Sequence, residues 1–152
     1  MINRNVLNIG NSGEKGSGVI ELAVNGDENR IIRFNPDDIT FANRFYDFIS
    51  EFQIKKEEFS KKLDSISPDD ETVTLANCKN TKEILDATLE ICMYLRSKID
   101  YVFGEGTSQT AFGDTNSFSM FIDFLEGITP YIRKVRSQRI KKYTGKYNNK
   151  KR

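Results

Sequence analysis

The residues best suited to chemistry lie together in one polar stretch, "FGEGTSQTAFGDTNSF", which occupies positions 103–118. It holds three glycines, two carboxylates and an asparagine, the residue types of phosphate-binding loops and calcium sites. The dinucleotide fingerprint fails because Gln109 stands where the third glycine is needed. The calcium pattern that begins at Asp114 fails because Phe118 stands where an oxygen ligand is needed.

A structural role explains the same stretch more completely. Gly104 can end one helix in a left-handed conformation. Asp114, Asn116 or Ser117 can cap the next helix, and Phe112 can insert into the core between them. We therefore predict that this stretch is the bend between two helices rather than a catalytic loop.

Composition narrows the possible chemistry further. The absence of histidine removes Ser-His-Asp and Cys-His catalysis and the imidazole ligands of most zinc enzymes. Cys78 and Cys92 form neither a metal motif nor a disulfide framework, which fits a reducing cytosol. A metal-dependent nuclease is the remaining enzymatic alternative, with candidate ligands Asp69, Asp70, Glu105 and Asp114. Since no supporting motif accompanies these carboxylates, we expect no catalytic residues, no cofactor and no metal.

The elements that position these residues follow from hydrophobic periodicity. Two β-prone runs, 18–24 and 30–34, flank the turn signal Asn25-Gly26 and predict a hairpin. Three long amphipathic helices follow, so the fold class is α+β and mainly α. We divide the chain into a flexible N-terminal segment (1–17), a single hairpin-plus-helices domain (18–142) and a basic flexible tail (143–152). No apolar run is long enough to span a membrane or to act as a secretory signal.

The ends of the first two helices are marked by capping residues. Asn35 and Pro36 suit the N-cap and first position of the first helix, whose apolar positions continue to about Ile66. Asn80 is the predicted N-cap of the second helix, which ends near Phe103. Apolar residues recur at alternating steps of three and four through both segments, as expected for helices that share a core.

The third helix begins near Asn116 or Ser117 and contains two helix breakers. Gly127 and Pro130 both fall within its apolar repeat. A proline inside a helix removes one hydrogen bond and clashes with the preceding turn, at a cost of about 3 kcal/mol. We therefore predict a kink or a break near Pro130.

Phenylalanines form a wide apolar face on the first helix, at Phe41, Phe45, Phe48 and Phe52. A face of this kind can hold a partner helix in a groove, so these four are the candidate partner-binding residues. The alternative is that the same face is simply the core.

Charge is distributed very unevenly along the chain. Residues 1–126 contain 13 basic and 22 acidic residues, a net charge of −9, whereas residues 127–152 contain ten basic residues and no acidic one. The candidate contacts of this basic segment are Arg133, Arg136, Arg139, Lys141 and Lys142. They could bind nucleic acid, although the acidic body would repel duplex DNA, or they could dock on the acidic body of a neighbouring copy.

Several stretches resemble a known group of proteins. "IIRFNPDDITFANRFYDFISEF" after a hairpin, and "IDYVFGEGTSQTAFGDTNSFSMFIDFLEGITPYI" before a basic tail, are similar to small tail proteins of phages and prophages of Gram-positive bacteria. Those proteins are tail assembly chaperones or other tail-module proteins, and the resemblance covers about residues 18–142. The matching pieces are Phe34-Asn35-Pro36, Phe103-Gly104 and Phe112-Gly113, all at predicted element boundaries.

The resemblance implies a role in assembly rather than catalysis. A chaperone of this kind binds the tape measure protein, keeps it soluble in the cytoplasm of the bacterial host and helps tail tube subunits to polymerise around it. The resemblance supplies no catalytic residues. Open edges of the hairpin make a homo-oligomer plausible. The alternative function is a nucleic-acid-binding or other structural phage protein that acts through its basic C-terminal tail.

Overall fold

The order of elements confirms the predicted α+β fold, with a hairpin followed by long helices. The structure, a computed structural model, describes residues 5, 7, 18–70 and 72–150, with side chains as far as residue 134. The elements are β1 (Ile20–Ala23), β2 (Ile31–Phe34), α1 (Ile39–Asp64), α2 (Lys79–Phe103), α3 (Thr107–Phe112) and α4 (Phe118–Lys150). The predicted N-terminal segment 1–17 lies outside the described residues except for Asn5 and Leu7.

The hairpin forms because its turn residues accept positive φ angles. β1 and β2 pair antiparallel, with Ile20 opposite Phe34. Between the strands, Asn25 and Gly26 adopt φ angles of 53° and 76°, as the Asn-Gly signal predicts. The backbone N–H of Val24 closes the loop by donating to the carbonyl of Arg30 at 2.9 Å.

The first long helix begins later than the sequence predicted. Asp38 is the N-cap, and its carboxylate accepts a hydrogen bond from the backbone N–H of Thr40 at 2.9 Å. Asn35 instead forms a turn ahead of the helix, where its side chain accepts from the backbone N–H of Asp37 at 3.0 Å. The prediction of an Asn35 cap was wrong because both residues are good caps and the buried Pro36 belongs to the preceding turn.

The start of α2 also differs from the prediction, since Asn80 is not its N-cap. The carboxylate of Asp69, in the α1–α2 connection, accepts hydrogen bonds from the backbone N–H groups of Asn80 at 3.3 Å and Thr81 at 2.7 Å. The first N–H groups of a helix have no partner within it, and a residue about ten positions away satisfies two of them here. Sequence rules that search for caps only at the adjacent position therefore miss this one.

The glycine-rich stretch contains a short helix, α3, that was not predicted. Gly104 follows α2 with φ 117° and ψ 147°, so it has positive φ but is not in the predicted left-handed helical conformation. The Asp100 carboxylate of α2 caps α3 by accepting from the backbone N–H of Ser108 at 2.8 Å. At the other end of α3, the Arg30 guanidinium donates to the carbonyls of Thr110 and Ala111 at 2.9 and 2.6 Å.

The four phenylalanines of α1 belong to the core. Phe41, Phe45, Phe48 and Phe52 are each at most 7% exposed. They pack against side chains of α2, α4 and β2, and Phe34 stacks on Phe41 with ring centroids 5.7 Å apart. The four side chains are therefore part of the core, which is the alternative that the sequence left open.

One continuous helix, α4, runs through Gly127 and Pro130. Of the two predicted alternatives, a kink or a break near Pro130, the break was wrong. Ile128 and Ile132 are buried on either side of the proline and hold both halves against the core. The backbone stays helical to Lys150, through most of the predicted tail 143–152. Propagating an existing helix requires no new nucleus, so this extension is inexpensive. Residues 151–152 lie outside the described residues.

Candidate functional site

A groove lies between α1 and α4. Both helices pack against α2, which makes the principal backbone contacts with each of them. Side chains join α1 to α4 at one end, where Phe59 and Phe118 have ring centroids 5.5 Å apart. Beyond this contact the two helices leave a groove of about 400 Å³. Its volume lies within the range of about 300–1,000 Å³ that is usual for binding pockets.

The groove has an apolar floor and a polar rim. Its lining residues are Phe45, Tyr46, Ile49, Phe52, Gln53, Ile122, Leu125, Glu126, Thr129, Pro130 and Arg133. Ile49 and Ile122 are half-buried, so each keeps part of its side chain available to a ligand. An apolar floor edged with polar groups is typical of surfaces that bind an amphipathic helix.

Two charged residues stand along the α4 side of the groove. Glu126 and Arg133 are both exposed and lie seven residues apart, which is two helical turns or about 10 Å along the axis. Neither forms an ion pair with any residue whose side chain the structure describes. The rim therefore offers one acidic and one basic contact at a separation that matches the side-chain spacing of a bound helix.

The structure places only some of the predicted site residues at the groove. Phe45 and Phe52 line the groove, whereas Phe41 and Phe48 do not. Arg133 lies at one end of the groove. The remaining basic candidates have side chains outside the described part of the chain: Arg136, Arg139, Lys141 and Lys142.

The sequence did not predict the groove, because hydrophobic periodicity does not give the distance between two helices. Ile49 fell on the predicted apolar seam, but nothing in its spacing showed that α4 would leave it half-covered. The available signal was the pair Glu126 and Arg133, which flank the apolar repeat of α4 at a two-turn spacing.

Three of the four carboxylates considered for metal chemistry form hydrogen bonds that support the fold. Asp69 caps α2, and Asp114 accepts a hydrogen bond from the Gln109 side chain at 3.0 Å. Asp70 accepts from the backbone N–H of Thr72 at 3.1 Å within its own turn. Within the described ranges, no group of three or more potential metal ligands comes together.

Phe112 anchors the glycine-rich stretch as predicted. Its ring is buried and lies 4.3 Å from that of Phe121, measured between centroids. Arg96 of α2 then fixes the connection to α4 by donating to the carbonyls of Gly113 and Thr115 at 2.8 and 2.6 Å. The stretch thus has the structural role that the sequence favoured.

One polar cluster joins α1 to α2 on the side away from the groove. The Lys98 ammonium lies 3.1 Å from the Glu51 carboxylate, and this contact lowers the pKa of Glu51. Burial, with a further contribution from Glu51, raises the pKa of Tyr94 well above its ordinary value. In the described part of the chain its enclosed hydroxyl makes no well-aligned hydrogen bond. A phenol held in its neutral form is poorly suited to proton transfer near neutral pH.

The two cysteines have different environments. Cys92 is buried against the core, and this burial raises the pKa of its thiol. Since the thiolate is the nucleophilic form, Cys92 behaves as a small apolar side chain. Cys78 is half-buried at the start of α2, and its thiol donates to the carbonyl of Leu75.

None of the helices in the ranges that the structure describes is long and apolar enough to cross a membrane.

Comparison of the sequence with known families gives one match. The model of a family of unknown function, DUF6673, matches residues 27–152, and the chain belongs to that family. No curated protein and no solved structure matches the chain. A family of unknown function supplies no residue roles, so a functional assignment depends on the groove.

Proposed function

We propose that this member of DUF6673 is a non-enzymatic component of phage or prophage tail assembly, a chaperone that holds a helix of the tape measure protein in the groove between α1 and α4. The groove is the observation that carries the proposal, because its apolar floor is open to solvent between α1 and α4. The resemblance of residues 18–142 to tail assembly chaperones supplies the identity of the partner.

The groove suits one helical ligand rather than an extended peptide. A helix presents apolar side chains at positions i, i+3, i+4 and i+7, which covers two turns. This is also the separation of Glu126 and Arg133 on the rim. A bound helix that carries a basic and an acidic residue two turns apart can pair with both rim charges while its apolar face contacts Ile49 and Ile122.

The proposed setting follows from this role. The chaperone acts in the cytoplasm of the bacterial host, where the tape measure protein is made before tail tube subunits surround it. Binding in the groove covers apolar side chains of the tape measure protein that would otherwise aggregate. Release then hands the same segment to the tube subunits.

Co-expression with the tape measure protein of the same phage or prophage tests the proposal. Wild-type protein should increase the soluble fraction of the tape measure protein and co-purify with it. Ile49→Glu should abolish both effects, because it places a charge on the groove floor. Ile54→Glu is the matched control, since Ile54 is 62% exposed on α1 and does not line the groove.

A second variant guards against a folding defect in Ile49→Glu. Exchanging the rim charges by Glu126→Arg and Arg133→Glu alters two exposed side chains and should leave the melting temperature unchanged. The exchange should nevertheless weaken co-purification. Full solubilisation of the tape measure protein by both groove variants would overturn the proposed function.

A further inference from the structure

A second apolar surface lies on the N-terminal half of α2, far from the groove. Leu85, Leu89 and Met93 follow one another at four-residue intervals and are 59%, 48% and 54% exposed. Residues four apart lie on neighbouring positions of one helix face, so these side chains form a continuous stripe. An exposed apolar stripe is typical of an interaction surface.

This stripe continues the face of α2 that α4 covers further along. Leu89 precedes Arg96 by seven residues, and Arg96 precedes Phe103 by seven, so all three point to the same side. Arg96 binds the segment that leads into α4, and the Phe103 ring lies 5.3 Å from that of Phe124 in α4. α4 begins too late to cover Leu85 and Leu89.

The neighbouring face of α1 also extends beyond the start of α4. The ring of Phe118, the first residue of α4, lies 5.5 Å from that of Phe59, and Leu63 follows Phe59 by one turn. Beyond Phe59, α1 and α2 stay side by side, and the Lys62 ammonium of α1 lies 3.7 Å from the Glu90 carboxylate of α2. We call the resulting surface, formed by Phe59, Leu63, Leu85 and Leu89, the α1–α2 shelf. It has the position that α4 would occupy if it extended backwards past Phe118.

The chain contains a helix that complements this shelf in charge and length. α4 makes its last described core contact at Ile132, which is fully buried, and continues as a helix to Lys150. These last 18 residues span about 27 Å, and the chain has no acidic residue after Glu126. Residues 51–93, which include the shelf, contain ten acidic and six basic residues. The segment that carries the shelf therefore has a net charge of −4, opposite in sign to the basic end of α4.

We propose that the basic end of α4 from one copy docks on the α1–α2 shelf of the next. Each copy then presents a donor end and an acceptor shelf, and in the proposed contact each copy docks on a different neighbour, head-to-tail. Repetition of such a contact produces a ring or an open filament. The groove between α1 and α4 takes no part in it and stays available.

Light scattering coupled to size-exclusion chromatography provides the first test. Wild-type protein should elute with a mass of at least two chains, and raising the salt from about 0.1 M to about 1 M, which shortens the Debye length from about 10 Å to about 3 Å, should reduce that mass. A shelf variant, Leu85→Glu with Leu89→Glu, should elute as a monomer. Ile54→Glu, an equally exposed apolar position outside the shelf, should retain the wild-type mass.

Mixing two defective variants distinguishes end-to-shelf docking from symmetric pairing of two shelves. A basic-end variant (Arg136→Glu, Arg139→Glu and Lys142→Glu) should also be monomeric alone. Combined with the shelf variant, it should give a dimer that grows no further. The shelf variant supplies the intact basic end and the basic-end variant supplies the intact shelf, so each pair can form one contact only.

Three outcomes would overturn the proposal. The first is a wild-type monomer at every concentration, whether or not its basic end binds duplex DNA. The second is a basic-end variant that keeps the wild-type mass, which would indicate shelf-to-shelf pairing. The third is a mixture of the two variants that stays monomeric. Groove variants such as Ile49→Glu should keep the wild-type mass, so the proposed function and this contact can fail separately.

Discussion

At the scale of single residues, Arg96 holds the connection between α3 and α4 in place. Its guanidinium donates to the carbonyls of Gly113 and Thr115 and to the side chain of Asn116, the last at 2.6 Å. It also lies over the ring of Phe121, 5.8 Å from the centroid. A single side chain therefore joins α2 to the start of α4 through polar and aromatic contacts.

Arg96→Met should destabilise the fold by about 2 kcal/mol, because hydrogen bonds to a charged group are worth more than neutral ones and the carbonyls would lose their donor. Urea denaturation followed by circular dichroism measures this change. The control is Arg33→Met, which removes an exposed pair with Glu21 and should cost about 0–1 kcal/mol. Equal losses in the two variants would contradict the role assigned to Arg96.

Two glycines make a matched pair with opposite expectations. Gly104 has φ 117°, where a side chain is strained, so Gly104→Ala should cost about 1–3 kcal/mol. Gly127 lies inside α4 with open space around its missing Cβ, so Gly127→Ala should stabilise by about 0.5–1 kcal/mol. Thermal melts of both variants check the two signs together. Stabilisation by Gly104→Ala would show that the α2–α3 junction is not held in this conformation.

At the scale of elements, the clearest signals in the sequence were the long periodic ones. The helices α1, α2 and α4 were predicted because their apolar repeats are set by their own residues. The hairpin was predicted from its two β-prone runs and the Asn-Gly turn signal between them. The start of α2 was misplaced and α3 was missed because these features depend on distant partners, whereas the start of α1 was misplaced because Asp38 caps it in place of Asn35. The predicted start of α4 near Asn116 or Ser117 agrees with its first residue, Phe118. Asp69 caps α2 from the preceding loop, Asp100 caps α3 from α2, and Arg30 reaches α3 from the hairpin.

The Asp69 cap gives α2 a pH-dependent contribution to stability. Its hydrogen bond from the backbone N–H of Thr81 lowers the pKa of Asp69 in the folded protein. A lowered folded-state pKa stabilises the fold above the ordinary Asp pKa of about 4 and ceases to do so as the pH falls through the folded value. Asp69→Asn should therefore lower the melting temperature at neutral pH, and the difference from wild type should shrink in acid.

The control for this prediction is Asp70→Asn, which removes the neighbouring carboxylate but leaves the cap. It should change the melting temperature at neutral pH less than Asp69→Asn does. A difference between wild type and Asp69→Asn that stays constant from neutral to acidic pH would contradict a charge-dependent cap.

At the scale of the whole molecule, the interaction surfaces depend on how the helices are arranged. The sequence indicated a Phe-rich face on α1 and left open whether it was core or interface. The answer depends on α2, which covers Phe48 and its neighbours, and on α4, which leaves Ile49 half-covered. Such placements follow from tertiary packing, which a single sequence does not give. The charge asymmetry, in contrast, was visible from the order of charged residues along the sequence.

The two surfaces should respond differently to salt. A tape measure helix in the groove is held mainly by apolar contacts, so its binding should weaken little between about 0.1 M and about 1 M salt. The contact between the basic end of α4 and the α1–α2 shelf depends on opposite charges and should weaken strongly. Pull-down of the tape measure protein and light scattering, performed on the same samples, measure the two responses.

The central claim is that the groove between α1 and α4 binds a helix of the tape measure protein. Nuclear magnetic resonance titration of isotope-labelled protein with helical segments of the tape measure protein tests it most directly. We predict that the largest shift changes occur at groove residues, among them Tyr46, Ile49, Ile122 and Thr129, and are absent for Ile49→Glu. Changes confined to the stripe at Leu85, Leu89 and Met93, or no changes with any segment, would contradict the claim.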